Sequence, residues 1–164
     1  MSISEILKKV KELDCQLVEV TGGEPLAQEN VGLLVQALID QGNKVLVETG
    51  GHMDIDLVPK ASIRIMDIKC PASKMAHKND YKNIDKLTSQ DEIKFVIQNK
   101  EDFLWAEKII REYKLETKCN LIMSTVFGIM NRQELAELIL GSGLKIRMQI
   151  QLHKLIWSED TKGV

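Results

Sequence analysis

Apolar positions along the chain follow two periods, which predict alternating helices and strands. Apolar side chains spaced three and four positions apart predict four helices over residues 3–13, 31–39, 100–113 and 131–140. Short apolar or alternating runs predict six strands over residues 16–20, 44–49, 62–68, 92–97, 120–124 and 145–152. The polar stretch between Cys70 and Ser89, rich in lysine and asparagine, is predicted to be a long loop.

Capping residues mark the ends of these helices. Ser2 with Glu5 three positions later matches the pattern of a capping box. Asn99 can cap the third helix at its amino end. Gly42 and Gly141 are predicted to close the second and fourth helices.

Strands that alternate with helices indicate an α/β fold built of parallel units. No internal repeat or linker divides the sequence, so residues 1–164 are predicted to form a single domain. In such folds, ligands bind at the carboxyl ends of the strands. This rule selects five segments in which polar residues and glycines concentrate: 21–25, 48–52, 67–71, the residues after 97, and 124–128.

Composition and charge exclude several classes of partner. Apolar residues make up 44% of the chain, charged residues 28%, and the formal net charge is −2 with both signs interspersed. Such a surface has no footprint for nucleic acid or for an anionic membrane. No apolar run approaches the roughly 20 residues that span a bilayer, and the amphipathic, charged start is unlike a secretory signal. We therefore expect a cytoplasmic protein.

The three cysteines, Cys15, Cys70 and Cys119, lie far apart and form no C-x-x-C pair. Their odd number and wide spacing argue against a disulfide framework. A metal site built from all three gains no support from the spacing. Buried or half-buried free thiols are the simpler interpretation.

The first strand end carries the clearest chemical signal, Thr21-Gly22-Gly23-Glu24-Pro25. Two glycines after a strand let the backbone approach a ligand closely. Glu24 adds an acceptor for a cationic group, and Pro25 stiffens the turn. This arrangement suits the ammonium and carboxylate of an amino acid, although a tight turn between strand and helix would also explain it.

The next two strand ends carry further polar groups. Glu48 and Thr49 precede a glycine turn and are candidates for a ligand pocket, whereas His52 is interpreted as a loop residue. Asp67 and Lys69 are two positions apart at a strand end, so their charges share one face. A structural ion pair with neighbouring loops is the alternative for them.

The remaining strands give weaker signals. Residues 94–97 and 102–106 are interpreted as a core strand and an amphipathic helix. The fifth strand end is polar enough to contact a ribose or an adenine through Ser124, Thr125, Val126 and Phe127. Near the chain's end, the sequence R-x-Q-x-Q-L-H-K-x-I-W, from Arg147 to Trp157, predicts a strand that carries a basic pair.

Two of these motifs resemble those of a known family. TGGEPL is similar to the S-adenosylmethionine (SAM) signature of radical SAM enzymes, and the ending resembles that of 7-carboxy-7-deazaguanine synthases. The resemblance implies that Gly22, Gly23 and Glu24 bind SAM, and that Glu48, Thr49, Asp67, Ile68, Lys69 and the four residues from Ser124 to Phe127 line its pocket. It also implies substrate contacts at Thr21, His153 and Val164.

The resemblance further implies a cofactor set and a reaction. Family members use SAM, a [4Fe–4S] cluster and Mg²⁺ in the radical ring contraction of 6-carboxy-5,6,7,8-tetrahydropterin, a lyase reaction of queuosine biosynthesis. Their barrel is of the (β/α)6 type. This chain is expected to form a partial barrel without the family's first strand or its CxxxCxxC motif, which holds the cluster.

Three expectations about activity follow. The chain alone is expected to be inactive, because its cysteines do not match the cluster motif. Homodimerisation or other self-association is expected through the open sheet edge at residues 16–20. A related radical SAM activase, of the type that activates anaerobic ribonucleotide reductase, and a non-catalytic fragment remain as alternatives.

Overall fold

A computed structural model describes residues 1–157 and residue 161. Six strands form one sheet: β1 (Leu17–Val20), β2 (Lys44–Thr49), β3 (Ile63–Asp67), β4 (Glu92–Ile97), β5 (Asn120–Thr125) and β6 (Ile146–Met148). The helices are α1 (Ile3–Glu12), α2 (Val31–Asp40), α3 (Lys100–Glu112), α4 (Arg132–Ser142) and α5 (His153–Ile156). The fold is therefore α/β, as the sequence predicts.

The strands lie in chain order and every neighbouring pair is parallel. Parallel connections are right-handed almost without exception, so successive crossovers pass over the same face of such a sheet. Val45, Val47, Phe95 and Met123 point to that face and are fully or almost fully buried in the core. The opposite face carries most of the polar strand residues, together with the apolar Leu46, Ile65 and Ile122; we call it the polar face.

The sheet is curved into part of a barrel. Neighbouring strands are about 4.8 Å apart, so the outer strands of a flat six-stranded sheet would be separated by about 24 Å. Yet Glu19 on β1 and Arg147 on β6 line the same cavity of about 490 Å³ on the polar face. This curvature brings all the strand ends to one rim, where ligands bind in parallel β/α folds.

Most predicted helix ends are confirmed. The capping box at the start of α1 is present, since Ser2 accepts from the amide of Glu5 and Glu5 accepts from that of Ser2. The side chain of Asn99 accepts a hydrogen bond from the amide of Asp102 and caps α3. The predicted end of α4 at Gly141 is wrong, because Gly143 takes the left-handed conformation that ends the helix, with φ +69°.

Two predicted segments differ in the structure. Residues 70–89 are not a structureless loop but hold three short 3₁₀ helices, Pro71–Ser73, Ala76–Lys78 and Tyr81–Lys86. The last predicted strand stops at Met148, and residues 153–156 turn into α5 instead. Hydrogen bonds to neighbouring elements explain the first difference: Asn83 is buried and donates to the carbonyl oxygens of Gly51 and Met53.

A fully buried ion pair fixes the amino ends of β3 and β4. Arg64 donates from Nη2 to Asp91 (2.6 Å) and to the carbonyl oxygen of Lys86 (2.8 Å), and Asp91 also accepts from the amide and hydroxyl of Thr88. This network lies at the opposite end of the sheet from the rim, so it supports the fold and not the site. Within the part of the chain that the structure describes, no helix has the length and apolar character that crossing a membrane requires.

Candidate functional site

A cavity of about 370 Å³ opens at the rim where β1, β2 and β3 end; we call it the rim pocket. It gathers residues from the first three predicted strand ends, the first and third of which are more than 40 positions apart in sequence. Eight sequence-predicted site residues line it: Thr21, Gly22, Gly23, Glu24, Glu48, Thr49, Asp67 and Lys69. The pocket also contains His52, Met75 and Lys78, which were not predicted as site residues.

The turn after β1 offers its backbone to this pocket. Gly22 and Gly23 have φ of +94° and +53°, a backbone conformation that residues with a Cβ rarely adopt. No heavy atom lies within 4 Å of the place where either Cβ would be, so the space beside both residues is open. A ligand can therefore approach the peptide groups of this turn directly.

Glu24 links this turn to the end of β2. Its Oε1 accepts hydrogen bonds from the amide of Leu26 (3.0 Å) and the hydroxyl of Thr49 (2.8 Å). Its Oε2 accepts from the amide of Gly50 (2.8 Å), and Nδ1 of His52 lies 3.6 Å from the same oxygen. The carboxylate that the sequence assigned to a ligand is thus largely engaged with protein donors.

Asp67 and Lys69 lie where β3 ends, and they form an ion pair of 2.6 Å through Oδ2 of Asp67. Asn79 fixes the backbone of Lys69 with two hydrogen bonds of 2.9 Å. The other carboxylate oxygen, Oδ1 of Asp67, is buried without a hydrogen-bond donor. A buried carboxylate oxygen of this kind is rare in native proteins and indicates a missing donor.

Ile68, predicted between these two residues as a pocket residue, points elsewhere. Its side chain is 3% exposed and belongs to the hydrophobic core. Alternation along an extended segment explains this placement, because adjacent side chains lie on opposite faces. Only the backbone of Ile68 is near the strand ends, where its amide donates to the carbonyl oxygen of Lys94.

The polar face of the sheet forms a second cavity, the lumen pocket, which is the cavity shared by Glu19 and Arg147. Inside it Lys94 donates to Oε1 of Glu48 (2.5 Å), and Thr21 donates to Oε2 of Glu48 (3.3 Å). Burial and the charge of Glu48 raise the pKa of Glu19, while Lys94 counteracts them. These contacts join the lumen pocket to the rim pocket through Glu48.

Lys94 is the main residue that the sequence interpretation missed, because residues 94–97 were assigned to a core strand. The signal was present: Glu92 and Lys94 alternate with the apolar Ile93 and Phe95. In a parallel sheet covered on both faces, strands are nearly continuous in apolar residues. Two charges on one face of such a strand therefore indicate a polar interior.

The four predicted residues at the end of β5 lie in different surroundings. Ser124 is buried in the lumen pocket with no partner for its hydroxyl, and Thr125 is half-buried. Val126 lines a smaller cavity together with Asp67 and Lys69. Phe127 instead packs under the cationic groups of Arg132 and Lys154, at 5.7 and 4.8 Å from its ring centre.

The carboxyl end also contributes to the lumen pocket. Arg147 donates to both carboxylate oxygens of Glu92, at 2.9 and 2.8 Å, and Oε1 of Gln151 is buried without a partner. His153 starts α5, but its side chain is not described. Val164 lies outside the described residues, so the two substrate contacts predicted for His153 and Val164 stay predictions.

The three cysteines are separate in the fold. Cys15 is exposed, whereas Cys70 and Cys119 are buried. Burial and neighbouring carboxylates raise the pKa of the Cys70 thiol, and burial raises that of Cys119 to about 12, so both are protonated at neutral pH. Among the described residues, no group of three or more histidine, cysteine or acidic side chains is arranged to hold a metal ion.

Comparison with known proteins identifies relatives along the whole chain. This chain is 40% identical over 167 residues to the 7-carboxy-7-deazaguanine synthase of Chlorobaculum tepidum, and the match covers 100% of this chain and 76% of that protein. The synthases of Koribacter versatilis and Clostridium acetobutylicum are 38% and 34% identical, again over 100% of this chain and over 79% and 76% of their own lengths. No model of a protein family matches the chain.

Proposed function

Because the chain belongs to the 7-carboxy-7-deazaguanine synthase family, we propose that its rim pocket binds SAM for the family's ring contraction of 6-carboxy-5,6,7,8-tetrahydropterin. One observation carries the proposal. A single cavity is lined by the open backbone of Gly22 and Gly23 and by Asp67, whose buried Oδ1 has no partner. These groups suit a zwitterionic ligand that also carries hydroxyl donors.

Each group in the rim pocket has a chemical task in this proposal. The peptide groups of Gly22 and Gly23 bind the amino-acid end of SAM, because only glycine leaves that approach open. Asp67 accepts a hydrogen bond from a ligand donor, and the ammonium of Lys69 favours the carboxylate of SAM. Bound SAM would supply hydrogen-atom abstraction chemistry once an external donor reduces it by one electron.

The lumen pocket is the proposed site for the substrate. A tetrahydropterin joins a flat pyrimidinone ring, with donors and acceptors along its edge, to a reduced, puckered ring, and here it also carries a carboxylate. The buried, unpartnered oxygens of Ser124 and Gln151 can pair with the ring, and Lys94 provides a cation nearby. Thr21 lies at the boundary of the two pockets, where it bonds Glu48 and can contact the substrate.

The described residues do not fit a [4Fe–4S] cluster, so no step is assigned to one. The thiols of Cys15, Cys70 and Cys119 are separate, and burial keeps two of them protonated. We expect the polypeptide of 164 residues to show no turnover by itself. The Mg²⁺ and cluster of the family would then depend on residues other than these three cysteines.

Amide chemical shifts test the SAM assignment directly. Titration of the protein with SAM is expected to shift the amide signals of Gly22, Gly23, Gly50 and Lys69. The signals of Gln41 and Asn43, which line a separate cavity at the amino ends of β1 and β2, serve as the control and should stay constant. Shifts of Gln41 and Asn43 without shifts in the rim pocket would contradict the proposal.

A further inference from the structure

Glu24 faces the rim pocket, yet its carboxylate has little capacity left for a ligand. A carboxylate has about four positions at which it can accept hydrogen bonds. Three are taken by the amides of Leu26 and Gly50 and the hydroxyl of Thr49. The remaining side of Oε2 faces Nδ1 of His52 at 3.6 Å.

We propose that Glu24 is a positioning residue, which fixes the Gly22–Gly23 turn to the end of β2 and does not itself bind the ligand's ammonium. The proposal rests on the SAM assignment above. It gives the two carboxylates of the rim pocket different tasks. Glu24 is bound by protein donors, whereas Asp67 keeps one buried oxygen without a donor.

The turn needs such a support. Glycine has the largest conformational freedom of all residues, so two glycines in succession are costly to hold in one conformation. The hydrogen bonds of Glu24 restrain the chain directly after Gly23, and they do so before any ligand arrives. A turn that is already ordered binds its ligand without the cost of ordering it.

The experiment compares Glu24→Gln with Thr49→Val, their double variant, and Thr49→Ser, which keeps the hydroxyl. Glutamine retains the size of Glu24, but its amide nitrogen places a donor against the donors around the carboxylate. Glu29→Gln, which changes an exposed carboxylate five positions further on, is the matched control. Two quantities are measured: amide hydrogen exchange without ligand, and the dissociation constant for SAM.

Without ligand, Glu24→Gln is expected to speed the exchange of the Gly50 amide by about tenfold or more, the effect of losing roughly one hydrogen bond. Glu29→Gln should leave this exchange unchanged. Glu24→Gln and Thr49→Val both remove the hydrogen bond between these two side chains, so each should weaken SAM binding. The double variant should bind SAM as tightly as whichever single variant has the lower affinity. Thr49→Ser should restore binding.

Unchanged exchange at Gly50 in Glu24→Gln would overturn the positioning role. So would additive losses of SAM affinity, because a direct contact between Glu24 and the ammonium would act independently of Thr49. Failure of the unmodified protein to bind SAM would instead reject the proposed function. The exchange measurement would still decide whether Glu24 fixes the turn.

Discussion

Arg64 and Asp91 form an ion pair that is completely buried, with Nη2 of Arg64 2.6 Å from Oδ2 of Asp91 and neither side chain exposed. Removing one partner of a buried pair costs about 3–5 kcal/mol. Asp91→Asn would leave Arg64 with one acidic partner among the described residues, the partly exposed Asp56, whose Oδ1 lies 3.3 Å from Nη1 of Arg64. We therefore expect Asp91→Asn to lower the free energy of unfolding by about this amount in urea denaturation.

The matched control is Asp85→Asn, which removes a carboxylate that pairs with Lys118 on the surface. Exposed ion pairs contribute about 0–1 kcal/mol, so this variant should unfold almost as the unmodified protein does. Equal losses in both variants would contradict the structural role assigned to Asp91.

The stabilisation by the Arg64–Asp91 pair should depend on pH. Burial alone would raise the pKa of Asp91, but hydrogen bonds from Arg64 and Thr88, with the charge of Arg64, bring it below its usual value. A carboxyl group whose pKa is lower in the folded state stabilises the protein above its unfolded pKa of about 3.9 and loses this contribution as the pH falls through the folded value. The difference in unfolding free energy between the unmodified protein and Asp91→Asn should therefore shrink below about pH 4. A difference that stays constant with pH would be inconsistent with this sign.

The charges of the lumen pocket are coupled through Lys94. Burial and Glu48 raise the pKa of Glu19, and Lys94 opposes this shift. Lys94→Met should therefore raise the pKa of Glu19 further, as measured by a carboxyl-carbon NMR titration. Lys108→Met, which changes an exposed lysine on α3, should leave it unchanged. An unchanged pKa for Glu19 in Lys94→Met would show that the two charges are not coupled.

The sequence predicted the rim more fully than the lumen. Residues 44–49 and 92–97 were predicted as strands, and β2 and β4 have those bounds. Strand ends in a parallel sheet meet at one edge, so Gly23 and Lys69 could be placed together without a structure. The inward face was missed although Glu92 and Lys94 alternate with apolar residues, because the same alternation also fits a sheet face that is open to solvent, and only the curvature of the sheet encloses it.

Other features depended on contacts that no local pattern shows. The apolar alternation of Ile146 and Met148 continues to Ile150 and Leu152, yet only the first part pairs with β5 and the later residues are more exposed. The 3₁₀ helices after β3 have no periodicity of their own. They are fixed by buried amides such as Asn83, whose partners lie about 30 positions away.

Self-association is expected through β1, which is paired on one side only within the described sheet. Leu17 is 56% exposed on this strand, and an apolar edge strand is a template for pairing with another chain. Leu17→Lys should weaken self-association by about tenfold, measured by sedimentation velocity. Leu140→Lys, which removes a leucine that is 82% exposed on a helix, should have little effect. If Leu140→Lys alone dispersed the protein, β1 would not be the interface.

The most direct test of the SAM pocket is the affinity for SAM of two glycine variants, measured by calorimetry. Gly23 and Gly42 both have positive φ and open space at their Cβ positions, but only Gly23 lines the rim pocket. Valine strains the backbone at either position. We expect weak binding by the unmodified protein, the same dissociation constant for Gly42→Val, and binding at least about tenfold weaker for Gly23→Val. An affinity that Gly23→Val leaves unchanged would contradict the assignment of this pocket to SAM.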